Sequence, residues 1–427
     1  MNERLIKNFD QLATTENRKI ALKIIEAGLN TINTKRIVFS SVFLSNNILS
    51  VQGQEFNLEK FKKIKIVGFG KSSLEAALAL EEILGPRISE GVVIGLNKIV
   101  CKRVETFVGT HPKPSEANAK AGMKIYELLN QSTKDDLVIA LISGGGSALL
   151  CDGENEYIQG AKLYDAFLRS GKTITEINTV RKHLSFFKGG GLAKIAYPAT
   201  IVGLIFSDIP GNMFENVASG PTYKDKTTIA DAEKIIAENN LGKFNLIETP
   251  KEDKYFENVY NFILVSNEIA IDKMAEKARD FNLEVKIAST ELYDEVNESL
   301  KKIFSFKKIN SLVLAAGEPS IIIENSNGKG GRNLHMGLET IKMNLIDDDS
   351  LFISFASDGI DNTEVAGAIV DKHTIEKATK LGLDTDDYLK RFDSYSFFQK
   401  IGDMIITGPT GANVSDLMIL LTKTRDK

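Results

Sequence analysis

The residues of this 427-residue chain best placed to do chemistry are cations at glycine-to-helix junctions and glycine loops at the ends of apolar runs. Lys71 follows the Gly68–Gly70 turn and opens an Ala/Leu/Glu-rich segment. A cation at the positive end of a helix is disfavoured by about 0.3–1 kcal/mol unless an anion lies between them. Lys71 therefore points to a phosphate or carboxylate, against the plainer reading of a solvated surface lysine. Arg332, where Gly330 and Gly331 give way to a helical pattern, repeats the arrangement. In the stretch LVIALISGGGSALL, Ser143, Gly144, Gly145, Gly146 and Ser147 end an apolar run. Glycines without a Cβ let successive amides turn toward a ligand, and a helix start favours negative charge there. A tight strand-to-helix turn without a ligand is the alternative, although three glycines cost more backbone entropy than a plain turn requires.

Further candidates are a cation and three acids. Arg181, in INTVRKHLS, could clamp a carboxylate or phosphate through its planar fork. Asp208 should emerge at the carboxyl end of the strand Thr200 to Phe206, where open α/β sheets bind ligands. Turn chemistry before Pro210 and Gly211 would also explain it. Asp358 and Asp361, three residues apart, suit a hard cation such as Mg2+, or a proton acceptor beside a metal ligand. Loop solvation is the competing account. His111, between Thr110 and Pro112, reads as a turn residue. A Walker A loop is excluded because Lys65 stands where its first glycine belongs, and the dinucleotide fingerprint because Ser73 stands where glycine or alanine is needed.

The elements that must position these residues alternate. Asn17 to Thr31 has the periodicity of an amphipathic helix, and strands are expected at Ile64 to Val67, Gly91 to Leu96, Thr106 to Gly109, Leu137 to Ile142 and Thr200 to Phe206. A polar stretch from Ala230 to Asp253 marks a domain boundary. After it come strands at Asn261 to Val265, Glu284 to Ala288, Ser311 to Ala315, Ile321 to Glu324, Leu351 to Phe355 and Met404 to Thr407, with an apolar helix after Ser415 and Asp416. The expected fold is α/β: two Rossmann-like α/β domains, residues 1–240 and 255–427, with mostly parallel sheets and an interdomain cleft.

Composition narrows the partners. The 57 acidic and 53 basic residues give a net charge of −4 without a basic patch, which argues against nucleic acid. The segment MNERLIKNFDQ lacks the apolar core of a secretory signal, and no apolar run approaches the ~20 residues that cross a bilayer, so a cytoplasmic protein with no membrane partner is expected. Two cysteines and four histidines argue against a disulfide scaffold or a histidine metal cluster.

Eight segments in order carry a resemblance: GFGKSS (Gly68–Ser73), THPKPSEA (Thr110–Ala117), SGGGSALL (Ser143–Leu150), INTVRKHLS (Ile177–Ser185), SDIPG with ASGPT (Ser207–Thr222), GKGGRN (Gly328–Asn333), SDGIDNTEVAGA (Ser357–Ala368) and TGPTGANVSDL (Thr407–Leu417). Over nearly its whole length the chain resembles the class II glycerate kinases, which join an N-terminal Rossmann-like domain to a C-terminal MOFRL domain. That resemblance implies transfer of the γ-phosphate of ATP to the 2-hydroxyl of D-glycerate, giving 2-phosphoglycerate, with Mg2+. It makes Lys71, Arg332 and Asp358 the catalytic residues. For such a phosphoryl transfer the residues themselves make Ser143, Gly144, Gly145, Gly146, Ser147 and Arg181 the expected substrate or phosphate ligands and Asp208 the metal ligand, with Asp208 and Asp358 open to exchange as base and metal ligand. The chain reads GGRNLHM where the family usually has GGRNQE, and Asn362 and Thr363 follow DGID in place of Gly and Pro. An NAD(P)H-dependent hydroxypyruvate reductase and a non-catalytic phosphosugar-binding sensor are the alternatives; a homodimer is compatible with the chain.

Overall fold

The computed structural model describes residues 4–170, 174–209, 211, 213–323 and 328–423. The chain forms two compact units, one spanning Thr34–Val265, the other joining Met1–Asn33 to Ser266–Lys427. No described helix is long and apolar enough to cross a membrane.

The Thr34–Val265 unit is built on a six-stranded parallel sheet in the order Glu105–Val108, Glu90–Gly95, Lys63–Phe69, Asp136–Ser143, Thr200–Phe206, Val259–Val265. Asp136–Ser143 is buried at all eight positions, as expected for a central strand covered on both faces, and this is why its sequence is a continuous apolar run. A short antiparallel meander, Val42–Ser45, Ile48–Val51 and Gln54–Asn57, precedes the sheet. The strand expected at Asn261 to Val265 belongs to this sheet, pairing Ile201–Phe206, and does not open the second domain. The compact units divide after Val265, and the first helix goes with the later unit.

The second sheet runs Glu284–Leu292, Ser311–Gly317, Asp416–Thr422, Ser350–Ala356, Gly367–Asp371, Met404–Ile405. Its first pair is parallel and the remaining pairs are antiparallel, so the expectation of a mostly parallel sheet is corrected for this unit within an α/β class that stands. The cause is the segment after Ser415. Its seven residues form a fully buried strand, not a helix, and that strand inserts antiparallel between Ser311–Gly317 and Ser350–Ala356. A seven-residue apolar run has no periodicity that separates a buried strand from a buried helix. Ile321 to Ile323 form no strand, and Glu324 lies outside the described residues.

Helix Glu16–Ile32 buries its apolar stripe in this second unit, and its first turn carries a charge inward. Arg18, 1% exposed, donates through Nε and one terminal nitrogen to Asp371 at 2.7 Å and through both terminal nitrogens to Asp403 at 2.9 Å. Thr374 completes the network.

Candidate functional site

Register assembles the first cluster. Lys63–Phe69, Asp136–Ser143 and Thr200–Phe206 are adjacent and parallel, with Phe69 opposite Ile142 and Ser143 opposite Phe206. Their carboxyl ends therefore release Lys71, the glycine loop and Asp208 side by side. The Lys71 amide donates to the Gly144 carbonyl at 2.8 Å, and the Ser72 amide donates to Ser143 Oγ at 3.1 Å. The Ser143 hydroxyl thus ties the two loops together.

Glycine is required at Gly144 by close approach: a Cβ there would lie 1.8 Å from Asp208 Oδ2. The Asp208 carboxylate accordingly rests against the loop. Gly145 has φ 79° and faces His111 and Lys71, whose nearest atoms would be 3.1 Å and 3.3 Å from an added Cβ. Gly144→Ala is expected to displace Asp208 and to lower kcat/KM about 100-fold, since a shift of about 1 Å in a reacting geometry costs that much. Steady-state kinetics together with a thermal melt would check it; an active variant would free Asp208 from any role.

Ser147, in the four-residue helix Gly146–Leu149, meets Ser219 Oγ at 2.9 Å. Ser219 donates to Asn178 Oδ1 at 3.3 Å, and Arg181 donates to the same oxygen at 3.1 Å. Hence Ser147 and Arg181, each expected to bind substrate or phosphate, are joined through Asn178 and Ser219. Ala218 and Ser219 have φ of 51° and 61°, conformations that L residues adopt only where surrounding structure holds them. Burial lowers the Arg181 guanidinium to about 10, with Glu156 opposing the drop. Among the described residues Arg181 has no carboxylate within 4 Å.

His111 is the residue that sequence reasoning passed over. The THPKP turn brings it against Gly145, close enough to Lys71 and Arg181 for both charges to act on it. The ring keeps an exposed face, yet partial desolvation against the loops comes first and the two cations add to it, lowering the imidazole to about 4. The THPKP segment was the available signal, because a histidine followed by prolines at 112 and 114 is held by a stiff turn while its ring stays exposed.

The second cluster is also made by strand ends. Because Asp416–Thr422 runs antiparallel to its neighbours, its first residue pairs with Gly317 and Ala356, the last residues of theirs. Glu318, Asp358 and Asp416 consequently share one edge. Arg332, first residue of helix Arg332–Lys342, bonds Asp416 Oδ2 through Nε at 2.6 Å, donates to the Pro319 carbonyl at 3.3 Å and lies 3.7 Å from Glu318. Burial pushes the Asp416 carboxyl up to about 7, and Arg332 opposes the rise.

The Asp358–Asp361 pair separates by task. Asp361 accepts from the amides of Asn333 and Leu334 at 3.0 and 2.8 Å and from Asn333 Nδ2, capping the helix that Arg332 opens. Both of its oxygens are thus engaged with the start of that helix. Asp358 accepts from the Ile360 amide through Oδ1 at 2.9 Å, and its Oδ2 takes no hydrogen bond among the described residues. Leu334, where the related pattern has a polar residue, is fully buried in the core of this unit.

Two α/β units with polar, glycine-rich loops at their strand ends define a ligand-handling α/β protein. Residues 20–247 match the model of a domain of unknown function, DUF4147, and residues 311–416 match the MOFRL family. The glycerate 2-kinase of Pyrococcus horikoshii is 34% identical over 96% of this chain and 98% of its own length. The D-glycerate 2-kinase of Thermotoga maritima is 33% identical over 94% and 97%. A solved structure of glycerate kinase from Thermotoga maritima superposes with a TM-score of 0.82 at 31% identity, covering 95% of this chain and 99% of that one. The chain belongs to the glycerate kinase family that combines DUF4147 with MOFRL.

Proposed function

We propose that this chain is a glycerate 2-kinase that moves the γ-phosphoryl group of ATP to the 2-hydroxyl of D-glycerate. Phosphoryl transfer asks a protein mainly for positioning and for neutralising charge spread over the transferred group. The observation that carries the reading is the set of three adjacent strand ends bearing Lys71, the Gly144–Ser147 loop and Asp208, in a chain related along its length to glycerate kinases.

In this reading Lys71 and Arg332 neutralise the phosphates and the moving group, and the Gly144–Ser147 amides hold an anionic end of a substrate. Arg181, oriented by Asn178, holds the glycerate carboxylate as a planar fork. Asp358 orients the 2-hydroxyl and accepts its proton through Oδ2. His111, neutral beside Lys71, hydrogen-bonds substrate without adding a charge. Asp208 fits Mg2+, an ion commonly bound by one or two carboxylates together with substrate phosphates. When bound, Mg2+ would neutralise phosphate charge.

A coupled assay with ATP, Mg2+ and D-glycerate, in which 31P and 13C spectra identify the phosphorylated carbon, tests the proposal. Phosphate on C2 is the expected product. NADH oxidation with hydroxypyruvate in the absence of ATP, and no phosphoglycerate, would replace it with the reductase. His111→Ala should lower kcat/KM for D-glycerate about 3- to 10-fold, the worth of one neutral hydrogen bond, with His111→Gln recovering most of it. An unchanged kcat/KM in the alanine variant would take His111 out of the site.

A further inference from the structure

The second unit holds two arginines against buried carboxylates in different ways. Arg18, 1% exposed, commits Nε and both terminal nitrogens to Asp371, Asp403 and Thr374 through five hydrogen bonds. Its fork is closed to any further acceptor. Arg332, whose side chain is 31% exposed, makes two hydrogen bonds among the described residues, from Nε to Asp416 Oδ2 at 2.6 Å and from Nη1 to the Pro319 carbonyl at 3.3 Å. Glu318, 3.7 Å away, is too far to be a third. Most N–H groups of this fork are thus left for an acceptor that comes from solution.

Asp416 stands on rigid ground. It is the first residue of strand Asp416–Thr422, and its backbone pairs with Gly317 on one side and Ala356 on the other. A position paired on both sides of a sheet holds a side chain more precisely than a loop does. Its buried carboxylate also accepts from the Asn333 side chain. Asn333 is itself fixed, with Nδ2 donating to Asp361 Oδ1 at 3.1 Å and Oδ1 accepting from Ser354 Oγ at 2.5 Å. A connected polar network therefore runs from Ser354 in the sheet through Asn333 and Asp416 to the guanidinium, and buried networks whose members are satisfied are stiff.

Stability alone does not account for a charge at position 416. Burial works against the ionised carboxyl, and Arg332 only opposes that effect. A buried ion pair of this kind is weak evidence of a stabilising role, because desolvation offsets the attraction. What the pair does achieve is orientation: one edge of the fork is held from behind, while the other keeps its donors.

We propose that Asp416 is a positioning residue for phosphoryl transfer, fixing the Nε edge of Arg332 so that the terminal nitrogens meet the transferred group in one geometry. The assignment rests on the reading of Arg332 as a charge-neutralising group in a glycerate kinase. Asp416 touches neither substrate nor phosphate and acts only through the arginine. A fork already aimed loses no side-chain freedom as charge develops on the moving group, so its effect falls on kcat more than on KM.

The test combines steady-state kinetics in ATP and D-glycerate, thermal melts, and 1H–15N spectra of arginine-labelled full chain for wild type, Asp416→Asn, Arg332→Ala and the double variant. Asp416→Asn is expected to lower kcat about 10-fold with KM within about twofold of wild type, less than the loss from removing the donor itself. In the Arg332→Ala background the same change should alter kcat by less than about twofold, since residues that act as a unit are not additive. The melting midpoint of Asp416→Asn should not fall at neutral pH. A carboxyl raised to about 7 binds more protons folded than unfolded, so stability declines as pH rises toward that value, and asparagine removes the decline. Wild type should show an exchange-protected Arg332 Nε–H signal, identified by its absence in Arg332→Ala, that Asp416→Asn loses. Wild-type kcat in Asp416→Asn, an equal loss in both backgrounds, a retained Nε–H signal, or a kcat loss accompanied by a fallen midpoint overturns the proposal. Wild-type kcat in Arg332→Ala removes the arginine from the mechanism and the proposal with it. No phosphorylation by wild type, with a protected Nε–H signal that Asp416→Asn abolishes, would count against the kinase reading alone.

Discussion

Lys71→Ala is expected to lower kcat by roughly 10²–10³-fold while leaving the melting temperature unchanged, the loss typical of removing one preorganised charge from a transition state. The stability half of this expectation follows from geometry. The hydrogen bond that anchors position 71 comes from its backbone amide to Gly144, which alanine retains, and the side chain is half-exposed and outside the hydrophobic core. The kinetic half follows from where the chain places the side chain, its Cγ against Gly145 and its charge acting on His111. Truncation should act on kcat more than on KM, because charge on the transferred group grows toward the transition state. Lys71→Arg should recover little, since a planar guanidinium does not reproduce a compact point charge. Wild-type turnover in Lys71→Ala would remove the residue from the mechanism; a collapsed melting temperature would show that the lysine holds the loops and not the substrate.

The largest effect on stability is expected at Arg18, far from any catalytic assignment. Arg18→Ala leaves Asp371 and Asp403 buried without their shared partner, and breaking a buried pair in this way costs about 3–5 kcal/mol. Urea unfolding should show the midpoint falling accordingly. Burial alone would raise the Asp371 carboxyl, but the Arg18 hydrogen bond and charge outweigh it and hold that carboxyl below its ordinary value. A depressed carboxyl supplies stability above the pKa of about 4 that it has in the unfolded chain, and that stability is lost as pH falls through the folded value. The gap between wild type and Arg18→Ala should therefore be full at neutral pH and narrow below about pH 4. Equal stability at pH 7 would mean that the network contributes nothing net, as hydrophobic replacements of some buried ion pairs do.

These two residues differ in how visible they were. Lys71 stands out locally, since a cation after Gly70 and before a helix is anomalous in any context. Arg18 looks like an ordinary charge near the start of a helix whose apolar stripe begins at Ile20; only the packing of that helix against Asp371 and Asp403 buries it. Ser143 and Asp361 show the converse. Both sit in motifs that invite a ligand, yet one accepts from the Ser72 amide and the other caps the Arg332 helix. Motif membership cannot distinguish a side chain that meets substrate from one that fastens the loop, because both tasks use the same hydrogen-bonding groups.

By itself, the sequence determined the alternation of strands, glycine loops and helices, the identity of the cationic loops, and the relationship to glycerate kinases, since periodicity and motif order are properties of neighbouring residues. Only the tertiary structure decided that the last strand enters the second sheet antiparallel, that the first helix belongs to the later unit, and that His111 comes within reach of the charges of Lys71 and Arg181 while Asp361 caps the Arg332 helix. Pairing between strands a hundred residues apart, and the desolvation that shifts a buried histidine or carboxyl, depend on which surfaces exclude water together, and local sequence carries no record of that.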